Sequence, residues 1–276
     1  SKEGSVPMAL TSVAYDVLNH MTLHATLASY HDASEKSMAL EHLEALQVLD
    51  AELLNTNFQD LCIFDRGYPS RFLMLFLRNN KKHFLFRVPE TSTFGEVCDA
   101  VKAGHRDVVV NIILNKDMFR RPNEKEYFSR SENKELKIRI LVFDLSSGEK
   151  EVVVTSLIDQ AEFTYEDIFK LYGMRWNVEE HYKFYKCIAE IENFSGESKI
   201  AVEQDFYATV FTCNSASLLA QEAQEEVNQA AANKEIKYTY KINRNILIGT
   251  VKNEILKVLL SDQDLTKYCE KLKRRL

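Results

Sequence analysis

The sequence predicts a layered, mixed α/β domain followed by a helical C-terminal lobe. Short apolar runs alternate with helical patterns up to about residue 160, and from Thr164 onward the pattern is helical. The composition is that of an ordinary globular protein, with 45% hydrophobic and 28% charged residues in 276 positions. Because the chain has only 8 Gly and 4 Pro, collagen-like, linker-like and low-complexity proteins are excluded.

Charge and hydropathy narrow the function classes further. The chain has 35 Lys and Arg against 41 Asp and Glu, and the resulting net charge of −6 gives no global attraction to nucleic acid. No apolar run approaches the ~20 residues of a membrane helix, and the first residues lack the apolar stretch of a signal peptide. We therefore expect a cytoplasmic protein with no membrane partner. The five cysteines form no C-x-x-C pair, which argues against a zinc ribbon or a disulfide scaffold.

The first 50 residues predict two strands and a helix. Met8–Asp16 and Met21–Tyr30 have strand-like patterns and are separated by turn residues. Glu35–Leu49 carries apolar residues at spacings of three and four, and Ser34 precedes it as an N-cap.

The next elements end in a carboxylate and a turn. Leu61–Phe64 is a short apolar run followed by Asp65, which is typical of a buried central strand with a carboxylate at its carboxyl end. A turn leads into a helix that begins at Ser70, and His83–Val88 is a further buried strand.

Residues 91–162 have the character of a β-rich insertion. Polar stretches separate its strand-like runs, and the charged segment Lys116–Lys134 is predicted to be a loop. The strand-like runs are Val108–Leu114, Leu136–Phe143 and Glu151–Leu157.

The rest of the chain predicts helices. A capping box, Thr164-x-x-Asp167, begins a long helix that extends to about Asn193. Two more helices follow, and the chain divides into four segments: core residues 1–90, insertion residues 91–162, the core helix in 163–200, and a helical lobe over 201–276.

Four polar residues share one side of the long predicted helix. Tyr172, Arg175, Glu179 and Lys186 lie at offsets of 0, 3, 7 and 14, which places them in a stripe about 60° wide and about 21 Å long. The simpler interpretation is a solvated face with ion pairs such as Arg175–Glu179. Glu180 lies off the stripe, so we expect it to be solvated.

A stripe of this composition suits metal-assisted chemistry on a phosphodiester. Mg²⁺ commonly takes one or two carboxylates together with substrate phosphate oxygens. Asp65 is the natural second carboxylate beside Glu179, and the stripe's Tyr, Arg and Lys would contact phosphate. Two metal ions about 4 Å apart would activate a water and stabilise the leaving 3′-oxygen in an in-line attack.

The motif Tyr172-x2-Arg175-x3-Glu179-x6-Lys186 resembles the Y-R-E-K motif of bacterial DDE transposases of the insertion-sequence-four group. The run from Phe64 to Tyr68 is similar to the second-aspartate block of that group. Further similarity follows in the same order at residues 12–19, 35–43 and 204–208, so the resemblance covers nearly the whole chain.

The resemblance implies an RNase H-like, integrase-like fold with a β insertion before the last catalytic helix. It implies cut-and-paste DNA transposition with Mg²⁺ or Mn²⁺, with transposon-end and target DNA as partners and a homodimer in the DNA complex. Asp65 and Glu179 would be catalytic acids and metal ligands. The implied DNA contacts are Tyr172, Arg175, Lys186, Arg87 and Trp176. From the sequence alone, Trp176 and the aromatic residues that follow it on the same predicted helix are better interpreted as packing residues.

The insertion would also help to hold a flipped base. It contains no Trp, so a stacking residue there would be Phe119, Tyr127 or Phe128, and the sequence does not choose among them.

One element of the family pattern is missing from the sequence. No Asp-Gly-Ser or Asp-Gly-Thr block carries a first catalytic acid, and Asp16 matches a non-catalytic family position. We expect that the polypeptide lacks the N-terminal part with the first catalytic strand, that this leaves a gap between Met8–Asp16 and Leu61–Phe64, and that the chain alone does not transpose DNA.

Two other functions stay open. The chain could be a non-catalytic DNA-binding or assembly relic of a transposase, or a stand-alone RNase H-fold nuclease. Lys116–Arg121 and Lys271–Arg275 are small basic clusters that could bind phosphates or simply be solvated. His20-x3-His24 fits a surface or packing role better than zinc binding, because the segment does not have a helical pattern.

Overall fold

The computed structural model describes residues 9–30, 34–53, 60–92, 94–232, 242–259 and 270. The predicted mixed α/β class is confirmed. The chain separates into two compact units, which we call the sheet unit (residues 34–176) and the hairpin unit (residues 1–33 with 177–276). Within the described ranges, no helix is long and apolar enough to cross a membrane.

The elements follow the predicted order closely. In chain order they are β1 (Ala9–Asp16), β2 (Met21–Ser29), α1 (Glu35–Leu53), β3 (Leu61–Phe64), α2 (Arg71–Asn79), β4 (His83–Val88), α3 (Gly95–Lys102), β5 (Asp107–Ile113), a 3₁₀ turn (Lys116–Met118), α4 (Pro122–Arg130), β6 (Glu135–Asp144), β7 (Lys150–Thr155), α5 (Tyr165–Gly173), α6 (Trp176–Cys187), α7 (Lys199–Ala232) and α8 (Arg244–Leu259).

The sheet unit is built on five strands in the order β3-β4-β7-β6-β5. β3 and β4 are parallel, and the other neighbours are antiparallel. Strands from the predicted core and from the predicted insertion therefore belong to one sheet. The division of the chain into four segments stays a prediction.

Helices cover both faces of this sheet. Because successive side chains of a strand point to opposite faces, Phe84 and Phe86 pack with α1 to α4, while Leu85 between them packs with α5. Burial on both faces explains why β4 and β7 read as nearly continuous apolar runs.

The hairpin unit joins the antiparallel pair β1–β2 to the helices α6, α7 and α8. Its core contains a small polar network. The Thr22 hydroxyl lies 2.7 Å from the Tyr185 hydroxyl and 3.1 Å from Nε2 of His181. His181 is buried, so it serves this network.

The single helix predicted from Thr164 to Asn193 is wrong. α5 begins at the predicted capping box but ends at Gly173, and α6 ends at Cys187. The break follows from local backbone geometry. The amides of Met174 and Arg175 donate to carbonyls three residues earlier, at 3.2 and 3.0 Å, which tightens the last turn. Gly173 favours this ending because Gly is the weakest helix former after Pro.

The break also overturns the predicted stripe on one helix. Tyr172 lies on α5, Arg175 lies in the turn, and Glu179 and Lys186 lie on α6. The four residues therefore do not project from a single helical face.

Two further predictions are wrong. β3 is a half-buried edge strand rather than a buried central one, since among the described residues β4 is its one neighbour. Lys116–Lys134 is not a loop, because it contains the 3₁₀ turn and α4. Pro122 occupies the first position of α4, where it leaves no backbone donor unpaired, and Glu124 accepts from the Arg121 amide at 3.2 Å.

Candidate functional site

The ends of three neighbouring strands bring charged side chains to one face of the sheet. The parallel register of β3 and β4, continued by one residue beyond Phe64, sets Asp65 beside Arg87. Arg87 lies opposite Val153 of β7, and Glu151 lies two residues before Val153 on the same face. This edge lies at the carboxyl ends of the parallel strands, where α/β proteins commonly bind ligands.

Asp65 is surrounded by hydrogen-bond donors. Its carboxylate oxygens lie 3.8 Å from Nη1 of Arg87 and 3.8 Å from Nη1 of Arg175. The Tyr172 hydroxyl donates to Asp65 Oδ1 at 3.5 Å. These distances are long for charge-assisted hydrogen bonds. The Asp65 side chain is 41% exposed and the Arg175 side chain 12%, so the donors line a site that solvent reaches at the carboxylate.

Glu151 completes the group that we call the Asp65 cluster: Asp65, Arg87, Glu151, Tyr172 and Arg175. Glu151 Oε1 lies 3.1 Å from Nε of Arg87, and its side chain is 12% exposed. Glu151 is not among the residues predicted from the sequence, because in the sequence Glu151 is only the polar residue that begins an apolar strand. Glu151 could have been found from its spacing, because it lies two residues before Val153 and residues at that spacing in a strand point to the same face of the sheet, here the face that packs against α5.

Tyr172 is a neutral donor in this cluster. Burial raises the pKa of its phenol to about 12, with the Asp65 and Glu151 carboxylates acting in the same direction against the lowering effect of Arg175. The hydroxyl therefore keeps its proton at neutral pH and far above it.

Trp176 lies at the edge of the cluster. Its side chain is 59% exposed, so the prediction that it is a packing residue is wrong. The Arg175 guanidinium lies 5.0 Å from the Trp176 ring centroid and 5.7 Å from that of Tyr172. An exposed indole beside a guanidinium is a surface on which a nucleobase can stack.

Glu179 and Lys186 lie in the hairpin unit. Glu179 is half-buried in the first turn of α6. Lys186 pairs with Glu192 at 2.9 Å, with both side chains largely exposed. Glu180 is exposed and pairs with Lys183 at 2.8 Å, which confirms that it is a solvated residue.

The aromatic candidates in the insertion are structural residues. Phe119 and Phe128 are buried and stack on each other with ring centroids 4.8 Å apart. Tyr127 is half-buried and packs against Phe72 and Phe76. The burial of Phe119 and Phe128 contradicts a base-stacking role for them.

Of the two basic clusters predicted from the sequence, the structure describes only Lys116–Arg121. Arg120 and Arg121 are exposed at the start of α4. Lys271–Arg275 lies outside the described residues.

The Asp65 cluster by itself does not fit a two-metal centre. Asp65 faces two guanidinium groups at 3.8 Å. Among the residues that the structure describes, no group of three or more His, Cys, Asp and Glu could hold a metal ion. The donor set of the cluster instead suits an anion, since arginine and hydroxyl donors match phosphate oxygens.

Residues 7–214 match the family described as transposase DDE domain. No curated protein matches the chain significantly.

Proposed function

Since this chain belongs to the transposase DDE-domain family, we propose that it is the catalytic region of a DNA transposase of the insertion-sequence-four group. Its reaction is metal-dependent phosphodiester hydrolysis and strand transfer at transposon ends. Its partners are transposon-end and target DNA, and a second copy of the chain in the DNA complex.

The Asp65 cluster is the observation that carries this proposal. A partly exposed carboxylate lies between two arginines and a neutral tyrosine hydroxyl. Such an arrangement provides donors for phosphate oxygens beside a carboxylate that can take part in the reaction. In a solvated salt-bridge surface Arg175 would be largely exposed, whereas its side chain is only 12% exposed.

Each residue has a role in the proposal. Arg87 and Arg175 bind phosphate oxygens of the DNA backbone, and the Tyr172 hydroxyl donates a hydrogen bond to a further phosphate oxygen. Trp176 stacks on a base next to the bound phosphate. Lys186 is a further residue of the proposal that contacts DNA phosphate.

Asp65 and Glu179 are the catalytic acids of the proposal. The requirement for Mg²⁺ or Mn²⁺ rests on family membership, because the Asp65 carboxylate faces two guanidinium groups and no group of three or more metal-ligating side chains occurs among the described residues. The 276 residues contain no Asp-Gly-Ser or Asp-Gly-Thr block, so the proposal assigns two of the acids and leaves the first acid unassigned.

We further propose an RNase H-like fold, with β3 as the strand of the second acid. The position of β3 supports this proposal. Among the described residues it pairs with β4 alone, and a first catalytic strand could pair with its other side.

The chain alone should not cleave DNA. Incubated with a supercoiled plasmid carrying transposon ends and Mg²⁺ or Mn²⁺, it should leave the plasmid at the background rate, because two acids do not complete the site. Robust cleavage that disappears in Asp65→Asn would contradict this expectation, and would show that the chain supplies all the acids it needs.

A second candidate is a non-catalytic DNA-binding relic. Two observations favour it. Asp65 pairs with two arginines, whose donors suit an anion. The described residues contain no group of three or more side chains that could hold a metal ion. Fusion of a strand that carries Asp-Gly-Ser to the chain separates the two candidates. A gain of Mg²⁺-dependent cleavage supports the enzyme, and unchanged DNA binding without cleavage supports the relic.

A further inference from the structure

Arg87 has two carboxylate partners, and they contact different parts of its guanidinium. Glu151 lies 3.1 Å from Nε, whereas Asp65 lies 3.8 Å from Nη1. The shorter contact is also the drier one, because the side chain of Glu151 is 12% exposed and that of Asp65 is 41% exposed. An ion pair shielded from water is stronger than an exposed one of the same length.

The guanidinium is planar, so a partner at Nε fixes the direction of the two Nη groups. Without Glu151, Arg87 would have Asp65 as its remaining neighbouring carboxylate in the cluster. The guanidinium could then close on Asp65 as a bidentate pair, which would occupy the same donors that a phosphate requires.

We propose that Glu151 is a positioning residue. It holds Arg87 at Nε so that the Nη groups remain available to a DNA phosphate and do not close on Asp65. This inference rests on the proposed function, since it concerns the same DNA-binding site. In this role Glu151 acts on DNA binding through Arg87.

Because Glu151 is negatively charged, a positioning role and a general electrostatic effect predict opposite changes in DNA binding when the charge is removed. Removing a negative charge near a DNA-binding site should strengthen binding through the general electrostatic field. If Glu151 positions Arg87, the same change should weaken binding. The sign of the effect therefore separates positioning from a field effect.

The experiment measures binding of the full chain to a fluorescein-labelled duplex of about 30 base pairs at low salt. Glu151→Gln should bind about tenfold more weakly than the unmodified chain, the scale of one hydrogen bond to a charged group. Glu151→Asp keeps the charge and should recover part of this loss. Glu149→Gln, at an exposed position two residues earlier, removes the same charge and should bind as tightly as the unmodified chain or more tightly.

A thermodynamic cycle with Arg87→Gln keeps the test valid if Glu151→Gln loses stability. Arg87→Gln should weaken binding about tenfold in the unmodified chain and less than about threefold in the Glu151→Gln background, because the two residues act as one unit. Equal effects of Arg87→Gln in both backgrounds, or tighter binding by Glu151→Gln, would overturn the inference. If Arg87→Gln has no effect in the unmodified chain, the proposed function fails instead.

Discussion

Replacing Asp107 by Ala should lower the free energy of unfolding by about 3–5 kcal/mol, because it leaves a buried charge without its partner. Arg139 is fully buried in the sheet unit. Its Nε and Nη2 donate to the two oxygens of Asp107 at 2.8 and 2.6 Å, and its Nη1 donates to the Phe163 carbonyl at 2.6 Å. Urea denaturation followed by Trp176 fluorescence measures the change.

The control for this change removes both charges. Asp107→Leu with Arg139→Met should recover most of the lost stability, since apolar residues of similar volume often replace buried ion pairs without loss. A double variant as unstable as Asp107→Ala would show that side-chain packing, and not the unpaired charge, causes the effect.

The contribution of Asp107 should also depend on pH. Partial burial acts to raise the pKa of Asp107, but hydrogen bonds from Arg139 and Gln160 outweigh it and hold the pKa below its usual value. Because the folded-state pKa is depressed, this stabilisation is present above the unfolded pKa and is lost as pH falls through the folded pKa. The stability difference between the unmodified chain and Asp107→Ala should therefore narrow below about pH 4.

Arg87→Gln combined with Arg175→Gln should weaken DNA binding by about 100-fold, since the proposed function gives each guanidinium a charge-assisted contact to phosphate. Fluorescence anisotropy with the labelled duplex measures this loss. Both positions lie beside Asp65 and are mostly buried, so thermal unfolding of the variant checks that the sheet unit remains folded.

The matched control removes two exposed arginines of the same unit. Arg106→Gln with Arg130→Gln loses the same net charge at exposed positions outside both the Asp65 cluster and the basic cluster Lys116–Arg121. We expect at most a few-fold loss from this control, because surface charge acts through a screened field. If the control weakens binding as much as the cluster variant, the bound phosphates are not held by the Asp65 cluster.

Local patterns were enough to predict most elements of this fold. The strands over Leu61–Phe64 and His83–Val88 are confirmed at the residues expected, because short continuous apolar runs bounded by turn residues are typical of strands. The capping box at Thr164 is confirmed for a similar reason, since it depends on contacts within one turn.

The helix break could not be predicted from periodicity alone. Tyr172 and Arg175 keep their helical spacing in the sequence, and Gly173 between them is tolerated in many helices at a cost of about 1 kcal/mol. The chain ends α5 there because the next amides bond three residues back. The effect on the site is large, since Arg175 lies in the turn and reaches Asp65 from there.

The contacts of the site were predicted only in part. Asp65, Arg87, Tyr172 and Arg175 were selected from the sequence, and the structure brings these four together in the sheet unit. Glu151 was missed because its contact with Arg87 depends on the pairing of β4 with β7, which are more than 60 residues apart in the chain. Strand pairing over such a distance is not encoded in any local pattern.

The salt dependence of DNA binding tests the central claim most directly, because its slope counts the phosphates that the protein neutralises. Each neutralised phosphate contributes about 0.9 to the slope of log K against log salt concentration. If the Asp65 cluster holds DNA phosphates, the slope for the Arg87→Gln, Arg175→Gln variant should be smaller than that of the unmodified chain by about 1–2. Identical slopes for the two proteins would contradict the claim that this cluster binds the DNA backbone.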